Sequence, residues 1–266
     1  MVTEDAAVTS VFQQGVVVDH LCKSYADGDS RLLVIDNLSI SAAPGQFVSI
    51  FGPNGCGKTT LLNVVAGLVP FDSGTASVGG KPPGTFRAGY VFQDYERSLF
   101  PWRRAIDNIG LPLEATDGSV RSRRHRVQEF LVRCGIRIPL GHFPYQMSGG
   151  QKQLTALARA LVGSPHILLM DEPFGALDYQ TRLSMADELL RVWHHMRITT
   201  LFVSHEIDEA IYLADKLYIL SPLPASVVET LEVNLPRPRT RRMLGSEEFL
   251  SVRARAIEAF WRNLTP

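Results

Sequence analysis

Ile50-Phe51-Gly52-Pro53-Asn54-Gly55-Cys56-Gly57-Lys58-Thr59-Thr60 is the stretch on which the reading of this chain turns. An apolar, β-branched run, Phe47-Val48-Ser49-Ile50-Phe51, leads into it, and Leu61-Leu62-Asn63-Val64-Val65-Ala66 follows with helical character. The middle fits G-x-x-x-x-G-K-[ST], a phosphate-binding loop set between a strand and a helix. Gly52, Gly55 and Gly57 permit positive φ, so that backbone N–H groups turn inward around an anion. The helix that starts after Gly57 aims its N-terminal amides at the same anion. Lys58 is placed to reach the β- and γ-phosphates of a nucleoside triphosphate, and the Thr59 hydroxyl to ligate Mg²⁺. The loop says what is bound, not what the binding serves.

The 266 residues suffice for one full core and a small second lobe. Apolar residues make up 45%, ordinary for a globular protein. Lys plus Arg and Asp plus Glu both number 27, and that balance argues against a broad nucleic-acid-binding face. No apolar run approaches the ~20 residues that span a bilayer, and residues 1–14 lack the basic-then-apolar order of a signal peptide. A role at a membrane is therefore expected to run through a partner. Cys22, Cys56 and Cys134 have no metal-ligand spacing and read as free thiols in a reducing compartment.

In chain order, residues 1–15 read as a flexible tail. Val16-Val17-Val18 opens a strand, Lys23-Ser24-Tyr25 precedes a polar loop, and residues 32–40 form a second strand before the Pro44-Gly45 turn. Tyr25 reads by default as a half-buried strand tyrosine; its other use is to stack on an adenine ring. Residues 72–80 look like a short hairpin rich in turn formers. Residues 88–92 form a strand ending at Gln93, which is either a solvated loop residue or a contact to Mg²⁺ or the attacking water. From residue 94 to 163 the pattern turns helical, with helical period at 103–114 and 120–134 and Gly135 marking a helix end. We read 94–163 as a helical subdomain inserted into a nucleotide-binding domain of residues 16–240. The basic run Arg121-Ser122-Arg123-Arg124-His125-Arg126 reads as a solvated helix face.

Ser148-Gly149-Gly150-Gln151 opens a strong helix former and makes a second anion cradle of the same physical type as the first. Two cradles far apart in sequence fit poorly with one nucleotide on one chain. They fit two copies paired head-to-tail, each nucleotide held between one P-loop and the partner's Ser-Gly-Gly. His166-Ile167-Leu168-Leu169-Met170-Asp171-Glu172-Pro173 is a buried strand ending in two carboxylates. Asp171 suits a Mg²⁺ shell, and Glu172 is placed to polarise the attacking water. Ala176-Leu177-Asp178 opens a helix to about residue 196, and the strand at 198–203 ends at Ser204-His205-Glu206. His205 there is suited to donate to a γ-phosphate oxygen. Residues 241–266 read as a C-terminal helical tail.

In this order the motifs resemble the ABC-type ATPases over roughly residues 16–238. The resemblance implies Walker A at 52–59, the Q-loop at Gln93, the signature at Ser148-Gly149-Gly150-Gln151 and Walker B at Asp171 with Glu172 as catalytic glutamate. It implies the D-loop at Ala176-Leu177-Asp178, the switch histidine at His205 and the adenine-stacking aromatic at Tyr25. The fold it implies is α/β: a P-loop NTPase core with a mixed sheet and flanking helices, an antiparallel β subdomain, and an inserted α-helical signature subdomain. ATP and Mg²⁺ are the implied cofactors. Glu172, His205 and Gln93 would be catalytic, and Thr59, Gln93 and Asp171 would face the metal. Tyr25, Gly52, Pro53, Asn54, Gly55, Cys56, Gly57, Lys58, Thr59, Thr60, Ser148, Gly149, Gly150, Gln151 and Asp178 would hold the nucleotide.

Leu99-Phe100-Pro101-Trp102-Arg103, Asp107-Asn108, Thr181-Arg182, residues 204–210, Ala214-Asp215 and Leu235-Pro236-Arg237-Pro238-Arg239 look like the nitrate/sulfonate/taurine importer group. Importers of pyrimidine thiamine precursors and other small solutes share much of this. The chain departs from the usual pattern at Lys152-Gln153-Leu154, Met147 and Ser204, none of them a catalytic group. The group implies a transmembrane permease, an extracytoplasmic solute-binding protein, a second copy of this chain, no nucleic acid, and a place at the cytoplasmic face of the inner membrane. An exporter subunit is the near rival, and the Phe-Pro-Trp segment argues against it. A soluble, non-transport ABC ATPase is the distant one, and no coiled coil or second ATPase unit is visible in the sequence.

Overall fold

Buried, uninterrupted apolar runs decide the centre of the molecule. The computed structural model describes residues 15–28 and 30–263; the expected tail lies outside them except for Gly15. In chain order the first part comprises β1 (Val16–Asp27), β2 (Ser30–Ala42), β3 (Phe47–Phe51), α1 (Lys58–Ala66), β4 (Ser73–Val78) and β5 (Ala88–Val91). A helical stretch follows: α2 (Tyr95–Ser98), α3 (Ala105–Ile109), α4 (Val120–Cys134) and α5 (Gly149–Val162). The last part holds β6 (Ile167–Asp171), α6 (Tyr179–Met196), β7 (Thr199–Ser204), α7 (Ile207–Leu213), β8 (Lys216–Leu220), β9 (Val227–Glu232) and α8 (Glu247–Arg262).

Every residue of β3, β6 and β7 is buried, as strands covered on both faces require. They form the middle of a six-stranded sheet of order β5-β6-β7-β3-β8-β9, parallel except for the antiparallel edge strand β9. Alternate residues divide between two cores. Phe47, Phe51, Leu168, Met170 and Phe202 face the cluster that contains α5, α6 and α8. Val48, Ile50, Ile167, Leu169, Leu201 and Val203 face the cluster that contains α1 and the antiparallel sheet. Full burial of each of these side chains contributes about 1.5–3 kcal/mol.

The second sheet is antiparallel, of order β2-β1-β4. It is tied to the first where the Ala225 amide donates to the Val34 carbonyl and the Asp36 amide to the Ala225 carbonyl. The stretch 72–80 is not a self-contained hairpin. Its strand, β4, pairs with β1, from Val16 opposite Val78 to Cys22 opposite Ser73, and only a turn between Val78 and Lys81 is local. The expected helix at 103–114 is shorter too: α3 stops at Gly110, and a single 3₁₀ turn covers Leu111–Leu113. Pro112 has no amide to continue the helix. The fully buried Asn108 takes over, accepting from the Phe100 amide and donating to the carbonyls of Phe100 and Arg103.

No strand interrupts residues 95–162, and α8 packs into the main core through Phe249, Ala256 and Ala259. Phe260 of α8 lies 5.0 Å from the ring of Phe51, at the base of the P-loop.

Candidate functional site

Parallel strands in register bring their C-terminal ends to one edge. Val91 lies opposite Met170, Asp171 opposite Val203, and Phe51 opposite Ser204. The residues that come next are Phe92-Gln93, Glu172, His205 and Gly52, so four separate segments meet along that edge, where ligands bind in open α/β sheets.

The P-loop is shaped by its glycines, two of them in the expected way. Gly55 and Gly57 sit at φ 78° and 113°. Gly52 is not in the left-handed region. It is required for closeness instead, since a Cβ there would stand 3.1 Å from both Cys56 Sγ and Leu220 Cβ. The Cys56 thiol is buried, and burial pushes its pKa up, which keeps it protonated and unreactive at neutral pH. Helix α1 has no side-chain cap on its N-terminus, so its first amides are left for a ligand.

The buried Lys58 ammonium donates to the carbonyls of Gly52 and Pro53, both at 2.9 Å, and lies 3.3 Å from Glu172 Oε1. The other carboxylate oxygen of Glu172 is 2.7 Å from His205 Nδ1 and accepts from Gln93 Nε2 at 3.5 Å. Glu172 itself adopts φ 44°, a strained value for a side-chain-bearing residue, held by its amide's bond to the Val203 carbonyl. Lys58, Glu172, His205 and Gln93 thus form one polar chain.

Asp171 stands apart from that chain. Its Oδ1 is buried and has no partner. Burial pushes its pKa up, while the Thr59 hydroxyl against the carboxylate works the other way. A buried, orphaned carboxylate oxygen next to a hydroxyl fits a hard cation that takes oxygen ligands.

The other predicted residues are placed differently. Ser148 caps α5: its hydroxyl accepts from the Gln151 amide, and the Gln151 side chain accepts from the Ser148 amide. Gly150 faces Met185 and Thr181 of α6. No hydrogen bond joins Ser148–Gln151 to the P-loop among the described residues. The Asp178 carboxylate caps α6 by accepting from the amides of Gln180 and Thr181; the Thr181 hydroxyl, and after it these amides, hold its pKa low. Tyr25 is half-exposed on β1, opposite Leu32, with the Lys23 ammonium 4.8 Å from its ring centre. Its sheet reaches the P-loop through β2, since a Cβ on Gly57 would stand 3.0 Å from Val34 Cγ1.

The family model described as ABC transporter matches residues 35–175. The chain belongs to the ABC transporter family. As a member it is an ATPase whose activity is coupled to transport. It is 36% identical over 93% of its length to an aliphatic sulfonates import ATP-binding protein of Bacillus cereus, covering 96% of that protein. It is 37% identical over 91% of its length to a nitrate import ATP-binding protein of Synechococcus elongatus, covering 38% of that protein. Among solved structures it is similar to a dimeric ATP-binding cassette, MJ0796, in a post-hydrolysis state bound to ADP and Pi, with TM-score 0.71 and 28% identity over 83% of this chain and all of that one.

Two contacts of this ABC ATPase involve residues that the sequence reading quoted but gave no part in the site. Gln153, buried in α5, donates from Nε2 to the Pro173 carbonyl at 2.7 Å and so pins the signature helix to the loop after Glu172. The signal was present: Gln153 sits in the apolar stripe with Leu157 and Leu161, where a polar side chain needs a partner. The second is Arg182, which reaches both Leu177 and Glu206.

Proposed function

We propose that the chain is the ATP-hydrolysing subunit of a membrane importer for a small anionic solute of the sulfonate, taurine or nitrate kind. The observation that carries the hydrolytic half is the polar chain Lys58–Glu172–His205 at the strand ends, with the orphaned oxygen of Asp171 beside Thr59. In the state described, Lys58 and Glu172 neutralise each other. Phosphates entering the P-loop compete for the Lys58 ammonium, which frees Glu172 to accept a hydrogen bond from the attacking water. His205 orients that carboxylate and would donate to a γ-phosphate oxygen. Gln93, which already reaches Glu172, links the site to the segment that follows it. Thr59, Asp171 and Gln93 would hold Mg²⁺, which when bound offsets charge on the phosphates. Tyr25 would stack on the adenine. A second copy would present Ser148-Gly149-Gly150 and Asp178 to the nucleotide.

The transport half is supported by the sulfonate and nitrate relatives and by a groove beside Gln93. A cavity of about 640 Å³ lies between β5 and the helical region, lined by Tyr90, Phe92, Phe100, Pro112 and Arg159 among others. Its exposed Phe92 suits an apolar segment of a permease. No helix among the described residues is long and apolar enough to cross a membrane, so the permease would hold the chain at the cytoplasmic face. An extracytoplasmic binding protein would deliver the solute. Extracting tagged chain from native membranes in mild detergent tests this. A co-purifying multi-span protein is expected; recovery with ribosomes, DNA or nothing would overturn the importer reading and leave the ATPase intact.

A further inference from the structure

Arg182 sits in the first turn of α6 and touches neither the P-loop nor Glu172, yet it holds two segments that border the site. Its Nη1 is 2.7 Å from Glu206 Oε1, and its Nη2 donates to the Leu177 carbonyl at 3.3 Å. Its Nε is buried with no partner, and its charge also acts on the carboxylate of Glu209.

Glu206 follows His205 directly, and the oxygen that Arg182 holds is itself 3.9 Å from His205 Nε2. On the other side, His205 Nδ1 is 2.7 Å from Glu172. The imidazole therefore stands between two carboxylates. Glu172 takes Nδ1, and Nε2 is the nitrogen left to meet substrate. With the ring as imidazolium, the form that donates at both nitrogens, a free Glu206 carboxylate needs to move about 1 Å to accept a charge-assisted bond from Nε2–H. That bond would fix the ring between two acids and remove its free nitrogen from the γ-phosphate. The Arg182–Glu206 pair at 2.7 Å blocks this collapse, because the same oxygen is already engaged by a full positive charge.

We propose that Arg182 is a positioning residue for hydrolysis: by holding Glu206 it keeps Nε2 of His205 open to the nucleotide. The inference rests on the reading of His205 given above. It assigns Glu206 a restrained role, that of an acid kept out of the site.

The test is steady-state ATPase on the full-length chain, with ATP affinity and thermal melting measured on each variant. Arg182→Gln should lower kcat about tenfold and leave KM for ATP within about twofold, the pattern of a lost transition-state group. Adding Glu206→Gln to Arg182→Gln should bring kcat back to within about threefold of the parent, since the intruding charge is gone. Loss of a strut alone would not be repaired by a second lesion. Arg182→Lys keeps a charge for Glu206 but gives up the fork to Leu177, and should retain near-parent turnover even if Arg182→Gln fails to fold. The proposal is overturned if Arg182→Gln turns over at the parent rate, if the double variant stays as slow as the single one, or if Arg182→Lys is as slow as Arg182→Gln. His205→Ala separates the two levels: a parent-like rate there overturns the reading of His205 itself, whereas a large loss with no rescue at Glu206 overturns only the role of Arg182.

Discussion

The two proposed anion cradles of this chain are built in opposite ways. The P-loop is surrounded by its chemistry: the ends of four parallel strands deliver Gly52, Glu172, His205 and Gln93 to it, and Lys58 is already joined to Glu172 at 3.3 Å. The Ser148 cradle has no such company. Its serine and glutamine bond each other, and its tie to the other half is Gln153, buried further along the same helix. One region brings the residues proposed for catalysis together. The other, proposed to bind phosphate, has no hydrogen bond to the P-loop among the described residues. That difference points to a site completed by two copies, in keeping with the dimeric cassette that the chain resembles.

If the P-loop edge holds the chemistry, its variants should fail hardest. Glu172→Gln should lower kcat by about 10²–10⁴-fold while ATP still binds, read by single-turnover hydrolysis beside equilibrium binding. An unchanged rate would remove Glu172 from its role. Lys58→Ala should weaken ATP binding about 10- to 100-fold, since it deletes charge-assisted bonds to phosphate. Parent-like affinity would break the P-loop reading. Ser148→Ala should divide the two regions most cleanly: turnover falls about tenfold, ATP affinity of the isolated chain stays within about twofold, and the lost cap costs about 1 kcal/mol in denaturant unfolding. If this variant instead lost ATP affinity to the same degree as Lys58→Ala, the two cradles would belong to one chain.

The last effect lies behind the catalytic edge. Burial in the surroundings of α7 pushes the Glu209 carboxyl from 4.5 up to about 8, with Arg182 opposing the shift. The folded chain keeps a proton that the unfolded chain releases above about pH 4.5, so this group lowers stability as pH rises from about 4.5 to 8. Glu209→Gln removes that loss. Its Tm should match the parent near pH 4 and exceed it by roughly ten degrees near pH 8, by calorimetry. A gain of equal size near pH 4 would rule out titration as the cause.

What the sequence revealed follows the range of the forces involved. The P-loop, the capping serine and the buried strands ending at Asp171 and Ser204 are local patterns, and a local pattern is readable. Pairing is not local: the turn-rich stretch at 72–80 hides a strand whose partner is β1, more than fifty residues earlier. The 103–114 stretch keeps a helical period, but Pro112 and the buried Asn108 end the helix. Gly52 shows a motif residue kept for a reason other than the one first assigned to it, close packing rather than positive φ. Arg182 carried no motif beyond its subgroup, because its meaning lies in a carboxylate more than twenty residues away.

The claim that each nucleotide is held between two copies has a direct test. In a Glu172→Gln background, which is expected to retain ATP, one chain also carries Lys58→Ala and the other Ser148→Arg. Labelled ATP retained after mixing is counted on the dimer isolated by size exclusion. A head-to-tail pair leaves one site with both lesions and the other with none, so the account predicts about one ATP per mixed dimer and almost none on either variant alone. A mixture that retains no more ATP than its components would contradict it.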